Sequence, residues 1–372
     1  MAKYDLLYIA FIDLQEPVDS GSGVRPQQML RAFQNLGYKI KVLDGWNNKR
    51  KQRRERVHEL LRWIDENEVD YCYVEPPAGP YFVSADLRLL NKLHKKGVTI
   101  GLFYRDIFWR FQSLFGQKEK LKFQVIRWMH QRDLFVFKRT VDFFYFPSQQ
   151  MAEFADFGVP YSPLPPAAEK LNVEEMEKKD IARLAEGKPL NIFYVGGITG
   201  TYGFSLLFDA VRAINRESIR VRLHAICREN EWLEFQQNHD AAAYPWFRVS
   251  HESHGDGLEE QYRDVDIAAL AIRNTAYTRF AVNVKLFEYV AHLKPVLSTN
   301  PEAVAEIVGQ NQIGWVCEDT AESIQKQLEH ILKNRQEILE IKKRQKIFLE
   351  ENTWESRARK VMATLQSIRE KK

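Results

Sequence analysis

Two consecutive α/β domains, each a largely parallel sheet covered by helices, are what this sequence predicts, and three observations predict them. Short apolar runs rich in β-formers alternate with helix-length amphipathic segments from end to end. A proline-rich and then charged stretch near the middle interrupts that rhythm, after which it restarts. The length of 372 residues exceeds one ordinary core and suits two domains of roughly 150 to 200 residues.

The first half offers strands at 5–11 (DLLYIAF), 39–44 (KIKVLD), 70–76 (DYCYVEP), 97–104 (GVTIGLFY) and 141–147 (VDFFYFP). Between them lie RPQQMLRAFQNLG, the long stretch after Arg53, SADLRLLNKLHKKG and the segment 107–140. Strand–helix–strand succession of this kind builds right-handed crossovers and a parallel sheet. Pro160, Pro163, Pro165 and Pro166, followed by a charged run to about residue 190, read as a linker with one exposed helix. Strands return at 190–197 (LNIFYVGG), 219–226 (IRVRLHAI), 247–253 (FRVSHES), 265–271 (VDIAALA), 294–299 (KPVLST) and 313–318 (IGWVCE), and a charged helical tail closes the chain.

Composition excludes several classes. Apolar content of 45% and aromatic content of 12% suit packed cores, not disorder. Cys72, Cys227 and Cys317 are dispersed, which argues for a reducing compartment and against a disulfide framework or zinc site. The opening apolar stretch lacks the flanks of a signal peptide, and no run approaches the roughly 18 apolar residues of a membrane span. A cytoplasmic protein is expected. The net charge of +4 is uneven: residues 1–165 carry 25 Lys and Arg against 19 Asp and Glu, the rest 29 against 31. That favours anionic partners for the first half but is too mild to indicate nucleic acid.

Four segments can carry chemistry. After the first strand, Asp19-Ser20-Gly21-Ser22-Gly23-Val24-Arg25-Pro26 leads into a helix. Its glycines let backbone approach a ligand while the helix N-terminus offers free N–H groups to a phosphate. The spacing is not the full dinucleotide fingerprint, so NAD is weakly supported. Gly196, Gly197, Gly200 and Gly203 repeat the same physics at the start of the second half. In the third segment, Asn283 to Thr299, Lys285 and Glu288 are three apart on one helix face; a lysine there can neutralise a diphosphate and a carboxylate can accept both hydroxyls of a ribose. The fourth is Arg105-Asp106, where Asp106 is placed to act as a base or to cap the helix IFWRFQSLF; Asp13 and Glu16 are rivals for the base. His251 and His254 are close but have no third ligand nearby, so no metal is expected.

The run V-x-K-L-F-E-Y-V-A-x-x-K-P-V-L-S-T, with the Ser-Gly-Ser-Gly loop, FPSQQMAEFADFGVP, YVGGI, YRDVDIAALAI and ENTWESRARKVMATLQSI in order, resembles the GT-B glycosyltransferases, specifically the bacterial group-one (GT4-like) class. The resemblance implies two Rossmann-like parallel-sheet domains facing across a cleft: 1–165 for the acceptor and 166–350 for a nucleotide-sugar donor. It also implies that a terminal helix, 351–372, crosses back to the first. By position, Glu288 would hold the ribose and Lys285 the diphosphate, with Gly196 and Gly197 lining the donor site and Arg273 and Asn283 beside it. Gly21, Ser22, Gly23 and Arg25 would approach the transferred sugar, and Asp106 and Arg105 would act in catalysis. The donor would be a substrate, with no cofactor and no metal. Two departures stand out: Phe280 occupies the place of a second glutamate, and Thr199–Gly203 replaces a usual Arg and Lys.

Residues 107–139 mix aromatics with Arg110, Lys118, Lys120, Lys122, Arg127, Arg132, Lys138 and Arg139, and Lys49–Arg56 adds a second basic run. Such a composition suits an interfacial helix on an anionic membrane, and hence a polyprenyl- or lipid-linked acceptor at the cytoplasmic face. The expected reaction is transfer of a sugar, from UDP before GDP, to a glycan or lipid-linked acceptor. A non-catalytic GT-B partner subunit and a sugar-nucleotide epimerase of the same fold stay open, with an NAD dehydrogenase behind them.

Overall fold

A computed structural model describes all residues except 1, 17–20, 170, 172–183, 185–187, 201 and 252–259. The chain divides into two units, Met1–Pro166 with Trp354–Lys372, and Ala167–Thr353. Each is built on one six-stranded, wholly parallel sheet.

In the first unit β1 (Lys3–Ala10), β2 (Ile40–Leu43), β3 (Glu68–Glu75), β4 (Thr99–Phe103), β5 (Phe143–Phe146) and β6 (Tyr161–Pro163) lie in the order β2-β1-β3-β4-β5-β6. The direction of winding reverses beside β1, so ligands are expected at the carboxyl ends of β1 and β3. Helices α1 (Gly21–Asn35), α2 (Arg50–Glu66), α3 (Ser84–Lys95), α4 (Lys120–Thr140) and α5 (Gln149–Ala155) supply the crossovers. The short β6 was read from sequence as linker. Its prolines are tolerated because it is an edge strand, where a missing N–H breaks no ladder.

The second unit holds β7 (Leu190–Val195), β8 (Val221–Ile226), β9 (Phe247–Ser250), β10 (Ile267–Leu270), β11 (Val296–Thr299) and β12 (Gly314–Cys317), ordered β12-β11-β10-β7-β8-β9. Here the reversal falls between β7 and β10. Its helices are α6 (Phe204–Ile214), α7 (Glu229–Gln236), α8 (Val284–Ala291), α9 (Glu302–Gln310), α10 (Ala321–Lys333) and α11 (Gln336–Glu351). Strict alternation along β7 feeds two cores: Ile192 and Tyr194 join one, Phe193 and Val195 the other. The exposed helix expected in the linker falls almost wholly outside the described residues.

The last helix, α12 (Trp354–Arg369), belongs to the first unit, where it packs on α1 and β4. Ala358, Val361, Met362 and Leu365 form its buried stripe. Gly101 in β4 makes room: a Cβ there would stand 3.1 Å from both Leu365 and Tyr145. Polar ties reinforce the docking. Arg357 donates to the carbonyls of Pro165 (3.1 Å) and Pro166 (3.2 Å), Lys360 to Pro163 (2.9 Å), and Arg369 to Asp70 (2.8 Å). Burial, with Arg25 nearby, draws the Arg357 guanidinium down to about 10. Leu365→Ala should therefore lower the stability of the first unit by about 3 kcal/mol through lost burial and a residual cavity, read by denaturant unfolding.

Candidate functional site

At the carboxyl ends of β7, β10 and β11, one network of hydrogen bonds fixes three chain segments to each other. The Tyr289 hydroxyl, on α8, accepts the Val195 N–H at 2.9 Å and lies 3.4 Å from the Val195 carbonyl, pinning the helix to the end of β7. The Thr299 hydroxyl at the end of β11 accepts the Ile272 N–H (2.8 Å) and donates to the Ile272 carbonyl (2.7 Å), holding the chain after β10. The loop after β7 is tied to that same chain by Gly203 N–H to the Ala271 carbonyl (3.0 Å) and by the Tyr202–Ile272 bridge. Glu231 of α7 accepts the Ile198 N–H at 2.8 Å. Buried Lys294 donates to the Val265 carbonyl at 3.0 Å.

Much of the K-L-F-E-Y…K-P-V-L-S-T pattern is thus scaffold, and only two of its polar side chains stand half-exposed: Lys285 and Glu288. They form an i,i+3 ion pair on α8, Nζ to Oε2 at 2.5 Å. Asn283 sits at the cap position of α8 without a side-chain cap bond. Arg273 is half-buried and reaches Ser205 in the first turn of α6 at 3.5 Å. Gly196 adopts φ 155°, which a side chain would resist. At Gly197 the need is packing, since a Cβ would meet the Tyr202 ring at 2.2 Å. Phe280 is buried in a 3₁₀ turn, Thr278–Phe280. The structure therefore brings Gly196, Gly197, Arg273, Asn283, Lys285 and Glu288 to one end of one sheet. His251 donates from Nδ1 to the Cys227 carbonyl (2.9 Å), and His254 lies outside the described residues.

In the first unit the geometry changes four expectations. Gly21, Ser22 and Gly23 are not a loop but the first turn of α1, and Asp19 and Ser20 lie outside the described residues. Arg25 is buried, not presented to a ligand. Its Nε donates to Glu75 (2.9 Å), Nη1 to the Leu164 carbonyl (3.0 Å) and Nη2 to the Tyr73 hydroxyl (3.4 Å), with the guanidinium over Phe103. Asp106 does not cap an α-helix, because 107–119 is a series of 3₁₀ turns; its Oδ1 accepts the Phe108 N–H at 2.8 Å. Likewise Arg53, read as part of a surface basic run, is buried against Asp86 at 2.7 Å and donates to the Ala10 carbonyl at 2.7 Å.

Two residues that sequence reasoning missed accompany Arg105 and Asp106 at the end of β4. His130 and Asp133 of α4 line, with Tyr81, Arg105 and Asp106, a small cavity with room for one water molecule. His130 is stacked on Trp109 (5.3 Å between centroids), and its Nε2 is buried without a hydrogen-bond partner. Asp133 accepts the Tyr81 N–H at 2.7 Å and pairs with Arg132. The available signal was phase: His130, Asp133, Phe137 and Thr140 recur at helical spacing on the buried face of α4.

Residues 189–334 match the family described as "Glycosyl transferases group 1". No curated protein matches the chain by sequence. Among solved structures, sucrose-phosphate synthase from Thermosynechococcus elongatus superposes with TM-score 0.69 at 10% identity, covering 98% of this chain and 99% of that one. A glycosyltransferase from Rickettsia africae gives TM-score 0.66 at 12% identity, covering 98% of each chain. HepE from Anabaena, solved in complex with UDP and glucose, gives 0.64 at 11%, covering 98% of this chain and 100% of that one.

Burial pulls the His130 imidazole from 6.5 to about 3 and pushes the Asp133 carboxyl from 3.8 to about 6. The depressed histidine contributes stability that is present above pH 6.5 and lost as pH falls towards 3. The raised aspartate contributes stability that is present below pH 3.8 and lost as pH rises through 6, so the two oppose each other. Between pH 6 and 4 the wild type should lose about 1.4 kcal/mol per pH unit relative to His130→Gln, measured by unfolding across pH; parallel profiles would refute this. Residues 189–334 are thus similar to the group 1 glycosyltransferases, and the chain as a whole has the fold of the GT-B glycosyltransferases.

Proposed function

We propose that the protein transfers a sugar from a UDP-sugar to a hydroxyl of a glycan or lipid-linked acceptor in cell-surface polysaccharide or glycoconjugate synthesis. The observation that carries the reading is the half-exposed Lys285–Glu288 pair beside the glycine loop, at the winding reversal between β7 and β10. That place lies within the segment matching group 1 glycosyltransferases. It is where a parallel sheet receives a nucleotide, with the N-terminus of α6 offering amides to phosphate. The complex of HepE with UDP and glucose supports uridine as the base.

In this reading Glu288 accepts the two ribose hydroxyls. Lys285 is released from its partner to neutralise the diphosphate, with Arg273 assisting. Gly196 and Gly197 let backbone approach the donor, and Asn283 sits at the start of the helix that carries the pair. Asp106 takes the proton of the acceptor hydroxyl as the acceptor oxygen bonds to the sugar C1 and the C1–O bond to the diphosphate breaks. Arg105, whose guanidinium is lowered by burial against the opposing pull of Glu75, orients the acceptor. The first turn of α1, Gly21-Ser22-Gly23, faces the transferred sugar, and Arg25 anchors that turn. Charge on the leaving diphosphate is met by Lys285 and helix amides, without a metal. Contact with an anionic membrane at the cytoplasmic face presents a lipid-linked acceptor. One observation favours a second reading, a non-catalytic GT-B subunit: the place of a glutamate in the class is filled here by buried Phe280.

Glu288→Ala and Lys285→Ala should each weaken UDP binding at least ten-fold in calorimetry while leaving the unfolding midpoint in place, as loss of charge-assisted bonds to a ligand requires. UDP bound equally by wild type and both variants removes the pair from the donor site. For Asp106→Asn the expected result is a kcat lowered about 10²-fold or more with unchanged UDP affinity. The assay is UDP release from a panel of UDP-sugars with glycan and polyprenyl-phosphate acceptors. Silence of the wild type with every donor favours the non-catalytic subunit.

A further inference from the structure

Helix α4 has two apolar faces, and only one of them is used by the fold. Phe123, His130, Asp133, Phe137 and Thr140 form the buried stripe. On nearly the opposite side stand Leu121, Val125, Trp128 and Phe135, exposed by 79%, 50%, 62% and 59%. Their spacing of 4, 3 and 7 residues places them on one line along the helix. Four large apolar side chains in a row on a water-facing helix are costly unless something covers them.

The charges around the stripe choose the occupant. Along α4 the sole acid is Asp133, which is buried. Lys120, Arg127, Lys138 and Arg139 are all exposed, and Arg139 lies 3.4 Å over the Phe135 ring. Lys122 is paired with Glu119, Arg132 with Asp133, and Arg110 is spent on the carbonyls of Phe154 and Ala155, so these three are not counted. No described helix is long and apolar enough to cross a bilayer. A water-facing row of Leu, Val, Trp and Phe flanked by cations, with no exposed acid on the helix, matches the headgroup boundary of a lipid surface. Apolar side chains enter the acyl edge while ammonium and guanidinium groups meet lipid phosphates.

We propose that the outward face of α4 seats the protein on an anionic membrane, with Trp128 and Phe135 inserted and Lys120, Arg127, Lys138 and Arg139 on the phosphates. The proposal rests on the reading above for its purpose, since it names the surface that would bring the first unit to a lipid-linked acceptor. Adsorption itself does not depend on the chemistry.

The test is flotation of the full chain with vesicles of equimolar phosphatidylglycerol and phosphatidylcholine, and with phosphatidylcholine alone, at low and high salt. Wild type should float with the anionic vesicles, less so as salt rises, and not with the zwitterionic ones. Trp128→Gln/Phe135→Gln should cut the partition coefficient at least ten-fold. Lys120→Gln/Arg127→Gln/Lys138→Gln should cut it on the order of a hundred-fold, at ~1 kcal/mol per cation. All these positions are exposed, so unchanged circular dichroism and UDP affinity are expected and separate this test from that of the donor site. Equal flotation of wild type and variants overturns the proposal, as does absence of flotation. So does a wild-type dimer that becomes monomeric in the variants without lipid, because the face then belongs to a second copy.

Discussion

Everything proposed for the second unit depends on one phenol. Tyr289 satisfies the buried backbone N–H of the last residue of β7 and in doing so sets the position of α8 along the sheet. Lys285 lies one turn before it and Glu288 directly beside it in sequence, so the position of the pair at the carboxyl end of the sheet follows from that contact. The phenol is buried, and burial drives its ionisation far up, so it remains a neutral donor and acceptor at any physiological pH. Thr299 does the same for the chain after β10. The loops that follow β7 and β10 are thus fixed at their roots by buried hydroxyls.

The first unit uses charge where the second uses hydroxyls. Arg25–Glu75 and Arg53–Asp86 are both buried ion pairs; Arg25 donates further to the Leu164 carbonyl and the Tyr73 hydroxyl, and Arg53 to the carbonyls of Ala10 and Asp44. Desolvation makes such pairs poor sources of net stability, yet removal of one partner leaves an uncompensated charge. Burial raises the Asp86 carboxyl even with Arg53 beside it. These pairs specify where the carboxyl ends of β1, β2 and β3 stand.

The alternation of strands and helices was legible because period-2 and period-3.6 patterns survive in single segments, and the return of α12 followed from the resemblance. The Lys285–Glu288 spacing was legible for the same reason: three residues apart on a helix means one face. What was not legible required knowing which side of a helix faces inward. Arg53 sits four residues before Val57, seven before Leu60 and eleven before Ile64, so it is in phase with the buried stripe of α2, but its charge and basic neighbours masked the phase. Arg25 could not be placed because its partner Glu75 is fifty residues away. The 3₁₀ turns of 107–119 escaped because their aromatic content imitates an amphipathic helix.

The seat of Leu365 over Gly101 has a consequence for biogenesis. The groove on β4 is filled by side chains that emerge from the ribosome some 190 residues after the strand bundle they complete. The amino-terminal sheet must wait, the flank that α12 covers left open, while the intervening unit is translated. Vectorial synthesis therefore leaves the earlier unit incomplete until α12 clears the exit tunnel.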